Sequence, residues 1–253
     1  MRKYFMAQSE KNRLYGVISF SEKRSKAPCL ILGHGFTGNK DERLLVTISE
    51  RLLEAGISSV RFDYSGHGES DGAPEDVTVA QEVSDLQAVL EYVKQEEVID
   101  PDQIFLGGHS LGGLVALLTA FQLPDEIYGL VLISPALTMF HELIEGLTDD
   151  RLKQVMSGEP LDLGGFSVGK KMIDECSTID AFSLARKMRP RALLIHGESD
   201  NNTPVYISVV LKQIWGDSAQ LCLIPQADHC FRTVKANQRV ADEVTAYITR
   251  LFQ

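Results

Sequence analysis

The sequence predicts an α/β fold, a mainly parallel sheet with helices on both faces. Two observations carry this. Apolar runs of strand length recur, and five of them are near-continuous and rich in Val, Ile and Leu, as strands covered on both faces require. After residue 28, segments with helical spacing alternate with those runs.

The elements follow in order. Residues 3–8 and 13–20 (RLYGVISF) read as an antiparallel pair at one sheet edge. Residues 28–33 (PCLILG) are the first covered strand. A helix over 40–55 stops at Gly56, where a left-handed residue ends helices well. Residues 57–63 (ISSVRFD) form the next strand. Residues 77–95 then carry Val79, Val83, Leu86, Val89, Leu90 and Val93 at helical spacing. Strand 103–109, helix 111–122 and strand 127–134 follow. Strand 191–197, helix 204–215 with Pro204 in its first turn, strand 219–225 and helix 232–252 complete the pattern.

Residues 136–185 break the rhythm, because common connections add only ~2–6 residues to the helix itself. The expected organisation is a core of residues 1–135 and 186–253 with a cap inserted at 136–185.

With 253 residues, 44% of them hydrophobic, the chain suits one core with an insertion. Its net charge of −10 disfavours nucleic acid and anionic membrane as partners. No apolar run approaches the ~20 residues of a membrane span. MRKYFMAQSEKNR lacks the apolar block of a secretory signal. Cys29, Cys176, Cys222 and Cys230 contain no C-x-x-C pair, and Cys29 and Cys222 lie in apolar runs expected to be buried. These features point to a reduced, cytoplasmic protein.

The spacing G-x-S-x-G, which often marks a nucleophilic serine, occurs twice. GGHSLGG contains Ser110 and GGFSVG contains Ser167. Context separates them. Ser110 follows Ile104-Phe105-Leu106 and precedes Leu114, Val115, Leu117 and Leu118, which is strand, sharp turn, helix. Gly108 and Gly112 remove side chains that would collide there. Ser167 lies in the expected cap, where Gly164-Gly165 suits a turn between short strands. Ser110 is therefore the candidate nucleophile.

A serine hydroxyl needs a base. His229, in IPQADHCF, follows the last strand and should return to the sheet edge that carries Ser110. His109 is expected to point away from the elbow. His34 and His196 are expected to serve packing and backbone hydrogen bonds. The base needs an orienting carboxylate. Asp200 in HGESDNNTP is preferred to Glu198, and Asp228 is expected to brace its own loop. For the oxyanion, the candidate donors are the N–H groups of Leu111 and of Phe36, in the glycine-rich LGHGFTGNK.

GHGFTGNK, FDYSGHGESDG, GGHSLGG, HGESDNNTP and ADHCF, in that order, resemble the α/β-hydrolase family of the serine esterase kind. HGFTGNK followed by FDYSGHGESDG is similar to its cinnamoyl (feruloyl) esterase branch, and PLDLGGFSVGKKMI resembles that branch's cap hairpin. The resemblance implies Ser110, Asp200 and His229 as a triad, with Phe36 and Leu111 as oxyanion donors. Gly66, Gly68 and Ser70 are expected to shape a loop bordering the same edge.

The expected activity is hydrolysis of feruloyl-type or similar small aryl and acyl esters, with no metal or organic cofactor. The expected partner is a small-molecule ester, and a homodimer is compatible with the sequence. The rivals are a lipid esterase of the monoacylglycerol type and a serine peptidase using Glu142, Glu145, Asp149 and Asp150 for a substrate amine. A non-enzymatic binding protein is disfavoured, since no triad member is missing.

Overall fold

The computed structural model describes residues 1–21, 26–138, 147–163 and 165–252. Eight strands form one sheet: β1 (Arg2–Ser9), β2 (Asn12–Ser19), β3 (Ala27–Gly33), β4 (Ser58–Phe62), β5 (Ile99–His109), β6 (Gly129–Ile133), β9 (Ala192–Gly197) and β10 (Ala219–Ile224). Their spatial order is β1-β2-β4-β3-β5-β6-β9-β10. β1 and β2 form the antiparallel edge hairpin, and β2 also pairs antiparallel with β4. From β4 to β10 every pairing is parallel.

The near-continuous apolar runs have a two-sided explanation. Side chains alternate across a strand. On β3, Cys29 and Ile31 join one hydrophobic core, while Leu30 and Leu32 join the other. On β9, Ala192 and Leu194 divide from Leu193 and Ile195 in the same way. Helices α1 (Arg43–Glu54) and α8 (Val234–Leu251) supply one core through Leu45, Ile48, Val240 and Val244. Helices α2 (Val79–Lys94), α3 (Leu111–Gln122) and α7 (Tyr206–Trp215) supply the other through Leu86, Leu90, Leu117 and Leu211. Helix α7 starts at Tyr206, so Pro204 stands just before it rather than in its first turn. Gly56 holds φ +85° after α1, as a helix stop requires.

Between β6 and β9 lie α4 (Asp149–Met156), a hairpin of β7 (Leu161–Asp162) and β8 (Ser167–Val168), α5 (Lys170–Thr178) and α6 (Ala181–Ala185). Gly165 at φ +92° serves the turn of that hairpin, and Gly164 lies outside the described residues. The indole of Trp215 donates to the Ala185 carbonyl at 2.9 Å, tying α6 to α7. No described helix is long and apolar enough to cross a membrane. The four cysteines are unbridged; Cys29 is buried, but Cys222 is only half-buried, because β10 is an edge strand with one flank open.

Candidate active site

The parallel strands deliver the predicted residues to one edge. Ser110 follows β5, Asp200 lies three residues past β9, His229 lies beyond β10, and Phe36 follows β3. All four strands run in the same direction, so their carboxyl ends form a common rim, the usual place for ligands in such sheets.

Ser110 sits at φ 55° and ψ −118°, outside the comfortable range for a side-chain-bearing residue. The surroundings hold it there. Its N–H donates to Ile133 at 2.9 Å, and its carbonyl accepts from Gly113 and from Ala136, each at 3.0 Å. A Cβ on Gly108 would stand 2.3 Å from the Gly112 backbone, so the helix does fold back onto its strand. A Cβ on Gly112 would instead stand 2.5 Å from the carbonyls of Gly33 and His34. The second glycine thus admits the loop after β3. That loop reaches the serine, since a Cβ on Gly35 would be 3.2 Å from the Ser110 Cβ. Leu111 is the first residue of α3, so its N–H has no acceptor within the helix.

His229 Nδ1 donates to Asp200 Oδ2 at 2.8 Å. The Asp200 side chain is fully buried, yet it collects donors: the N–H groups of Asn202 and Thr203 on Oδ1, each at 2.9 Å, and the Thr203 hydroxyl on Oδ2 at 3.0 Å. Burial would raise this carboxyl, but hydrogen bonds from His196, His229 and Thr203 prevail and hold it well below the usual carboxylate range. Glu198 is exposed, and Asp228 accepts from the Arg232 N–H in its own loop at 2.9 Å.

His109 corrects the sequence expectation. Its ring does not point away; its centroid is 4.7 Å from that of His229, and its Nε2 donates to the His229 carbonyl at 2.9 Å. Burial, then the neighbouring His229, lowers it to about 4, so it is a neutral strut. His34 behaves as expected, donating from Nδ1 to the Gly35 carbonyl at 2.8 Å and accepting from the Tyr64 N–H at 3.2 Å. His196 does more than pack. Its Nε2 donates to the Thr203 carbonyl at 3.0 Å and lies 3.4 Å from Asp200 Oδ2, while its Nδ1 accepts from the Ser208 hydroxyl at 2.8 Å.

A buried ion pair fastens the loop that carries Phe36. Lys40 donates to Asp63 through its backbone N–H at 2.6 Å and through Nζ at 2.8 Å, and Nζ also meets Glu69 at 2.5 Å. Glu69 N–H returns to the same Asp63 carboxylate at 3.0 Å. Gly68 is obligatory there, because at φ +50° a Cβ would sit 2.3 Å from Asp63 Oδ2. Asp63 thereby joins the loop after β4 to the loop after β3.

The second G-x-S-x-G stretch also reaches this region, by its aromatic residue. Phe166 packs edge-on against Phe36 at 5.0 Å and stacks on His67 at 4.8 Å. Ser167 lies in β8, which among the described residues pairs with β7 alone. Glu142, Glu145 and His141 lie outside the described residues; Asp149 and Asp150 are exposed in the first turn of α4. Among the described residues no cluster of His, Cys, Asp or Glu is arranged to hold a metal ion.

A family model described as Hydrolase_4, Serine aminopeptidase, S33, matches residues 24–158, more than half of the chain. The chain belongs to this family. Its fold is the α/β-hydrolase fold. A structure of Est1E from Butyrivibrio proteoclasticus with ferulic acid bound is 27% identical with a TM-score of 0.85, over 98% of this chain and 97% of that one. Human palmitoyl-protein thioesterase ABHD10, mitochondrial, is 25% identical over 223 residues, 85% of this chain and 71% of that protein. An uncharacterized 31.7 kDa protein of Escherichia coli, from the traX-finO intergenic region, is 39% identical over 92 residues, which is 36% of this chain and only 32% of that protein. The family match covers Phe36, Ser110 and Leu111 but ends before Asp200 and His229.

Proposed function

We propose that this hydrolase cleaves carboxylic esters by acyl-enzyme chemistry at Ser110, with aryl esters of the feruloyl type as its substrates. The observation that carries the reading is the 2.8 Å bond between His229 Nδ1 and the buried Asp200, on the same rim as a serine held at φ 55°. An imidazole whose Nδ1–H is bonded to a carboxylate keeps Nε2 free to accept a proton. His229 takes the Ser110 proton as the hydroxyl attacks the ester carbonyl. The oxyanion is held by the N–H groups of Leu111 and Phe36. His229 then protonates the leaving alcohol, and water repeats the sequence to release the acid.

The aryl preference is supported by the Phe36–Phe166–His67 stack and by the likeness to a ferulate-bound esterase. Helices α4 to α6, with the β7–β8 hairpin, act in this reading as the cap over the acyl or alkoxy group. A second reading, acyl-thioester hydrolysis, is favoured by the likeness to ABHD10 across most of the chain.

A fluorophosphonate probe tests the chemistry. It should label the peptide containing Ser110, Ser110→Ala should abolish both labelling and turnover, and Ser167→Ala should change neither. Labelling at Ser167, or turnover surviving in Ser110→Ala, would overturn the assignment. Methyl ferulate, medium-chain p-nitrophenyl esters, a monoacylglycerol, a palmitoyl thioester and an aminoacyl amide then rank the substrates. Preference for the thioester selects the second reading, and preference for the amide removes both.

A further inference from the structure

We propose that the Thr203 hydroxyl is a positioning group that sets the hydrogen-bond balance between Asp200 and His229. The inference rests on the assignment of His229 as the base of the proposed hydrolysis. Thr203 Oγ1 lies 3.0 Å from Asp200 Oδ2 and 3.1 Å from His229 Nδ1, and those two atoms are 2.8 Å apart. Three polar atoms thus form a closed triangle within a buried site, with Thr203 only 1% exposed. The other polar groups of Thr203 serve the same pair. Its N–H donates to Asp200 Oδ1 at 2.9 Å, and its carbonyl accepts from His196 at 3.0 Å.

The hydroxyl has one proton to give. The carboxylate is the stronger acceptor; the alternative, the Ser134 carbonyl, is 3.4 Å away. Oγ1–H therefore donates to Oδ2, and its lone pair faces the Nδ1–H of His229. Oδ2 is shared among His229, Thr203 and, at 3.4 Å, His196. Each added donor draws charge from the oxygen that must stabilise the imidazolium. The hydroxyl holds the carboxylate in place and moderates its pull on the base.

The other titratable groups near the ring set the background. His109, from the end of β5, is neutral and bonds the His229 carbonyl. His196 stands behind Asp200 on β9. Asp228 and Cys230 flank His229 in its own loop, and Glu42, just before α1, acts on Cys230. Of these carboxylates, Asp200 is the one bonded to the His229 ring.

The test is Thr203→Val, which keeps the side-chain shape without the hydroxyl, against Thr203→Ser, which keeps the hydroxyl. Two quantities are read: the His229 midpoint from the NMR titration of its imidazole, and the acid limb of kcat/KM for a p-nitrophenyl ester. In Thr203→Val both should move up by about 0.5 pH unit, a roughly threefold rise in proton affinity. KM should stay unchanged while kcat falls, and Thr203→Ser should restore the wild-type values. Thr203→Ala gives the same reading if the valine variant does not fold. A midpoint within about 0.2 unit of wild type in Thr203→Val, or a serine variant that matches the valine one, would overturn the proposal. The NMR midpoint needs no turnover, so a failure of the hydrolase reading, shown by activity in Ser110→Ala, is seen separately.

Discussion

Ser110 illustrates how much a single position costs and who bears the cost. A left-handed serine stores on the order of 1–3 kcal/mol, and here backbone hydrogen bonds with Ile133, Gly113 and Ala136, together with two glycines, enforce it. The same left-handed turn redirects the histidine before it. Strand alternation predicts that His109 and Ser110 diverge, but Ser110 is no longer in the strand, so His109 swings beneath the His229 loop. That is why motif order could nominate Ser110, Asp200 and His229 as candidates that the fold carries to one rim, whereas it could not place His109. Its neutrality has a measurable consequence. Folded His109 titrates at about 4 and an ordinary histidine at 6.5, so between those values the unfolded chain binds the extra proton. Stability from this group is complete above pH 6.5 and is lost as pH falls toward 4, at about 1.4 kcal/mol per pH unit. His109→Gln retains a donor for the His229 carbonyl and does not titrate. The stability advantage of wild type over His109→Gln, from urea unfolding, should therefore shrink by about 1.5 kcal/mol between pH 6.5 and 5.

At the scale of elements, the loops after β3 and β4 act as one piece because Lys40 and Asp63 are joined inside the protein. Burial alone would lower the Lys40 ammonium, but the bonds to Asp63 and Glu69 reverse this and raise it. Removing one partner strands the other. Lys40→Met should cost about 3–5 kcal/mol by leaving Asp63 buried and unpaired. Adding Asp63→Leu should recover much of that loss, since replacing both members of a buried pair is often neutral. Chemical denaturation of the three proteins checks both statements. Turnover of the double variant should stay depressed, because the Phe36 loop has lost its anchor. Both residues stood inside recognised sequence motifs, yet their partnership had no local signature. It joins two loops 23 positions apart, and neither helical nor strand periodicity links such sites. The β7–β8 hairpin was legible from the glycine at its turn, but the seating of Phe166 on His67 depends on tertiary packing alone.

Across the whole molecule, the sheet is covered on both faces by separate hydrophobic cores, so each buried strand serves two masters. Leu194 and Ile195 are adjacent in sequence and belong to different cores. Leu194→Ala and Ile195→Ala should each lower unfolding free energy by about 2–5 kcal/mol, and equal sensitivity on the two faces, read from urea midpoints, is the expected sign of a shared sheet. The fold class was legible because continuous apolar runs demand double coverage. Strand order was not, because it is decided by which helix crosses to which face. One consequence reaches beyond stability. Ser110 and the Phe36 loop belong to the strands before the interruption at 147–185, while Asp200 and His229 belong to the strands after it. Under the proposed mechanism, scission at the exposed turn around Gly158 would divide the chemistry into halves, each inert alone. Their reunion across the β6–β9 seam would make hydrolysis a light switch for reassembly.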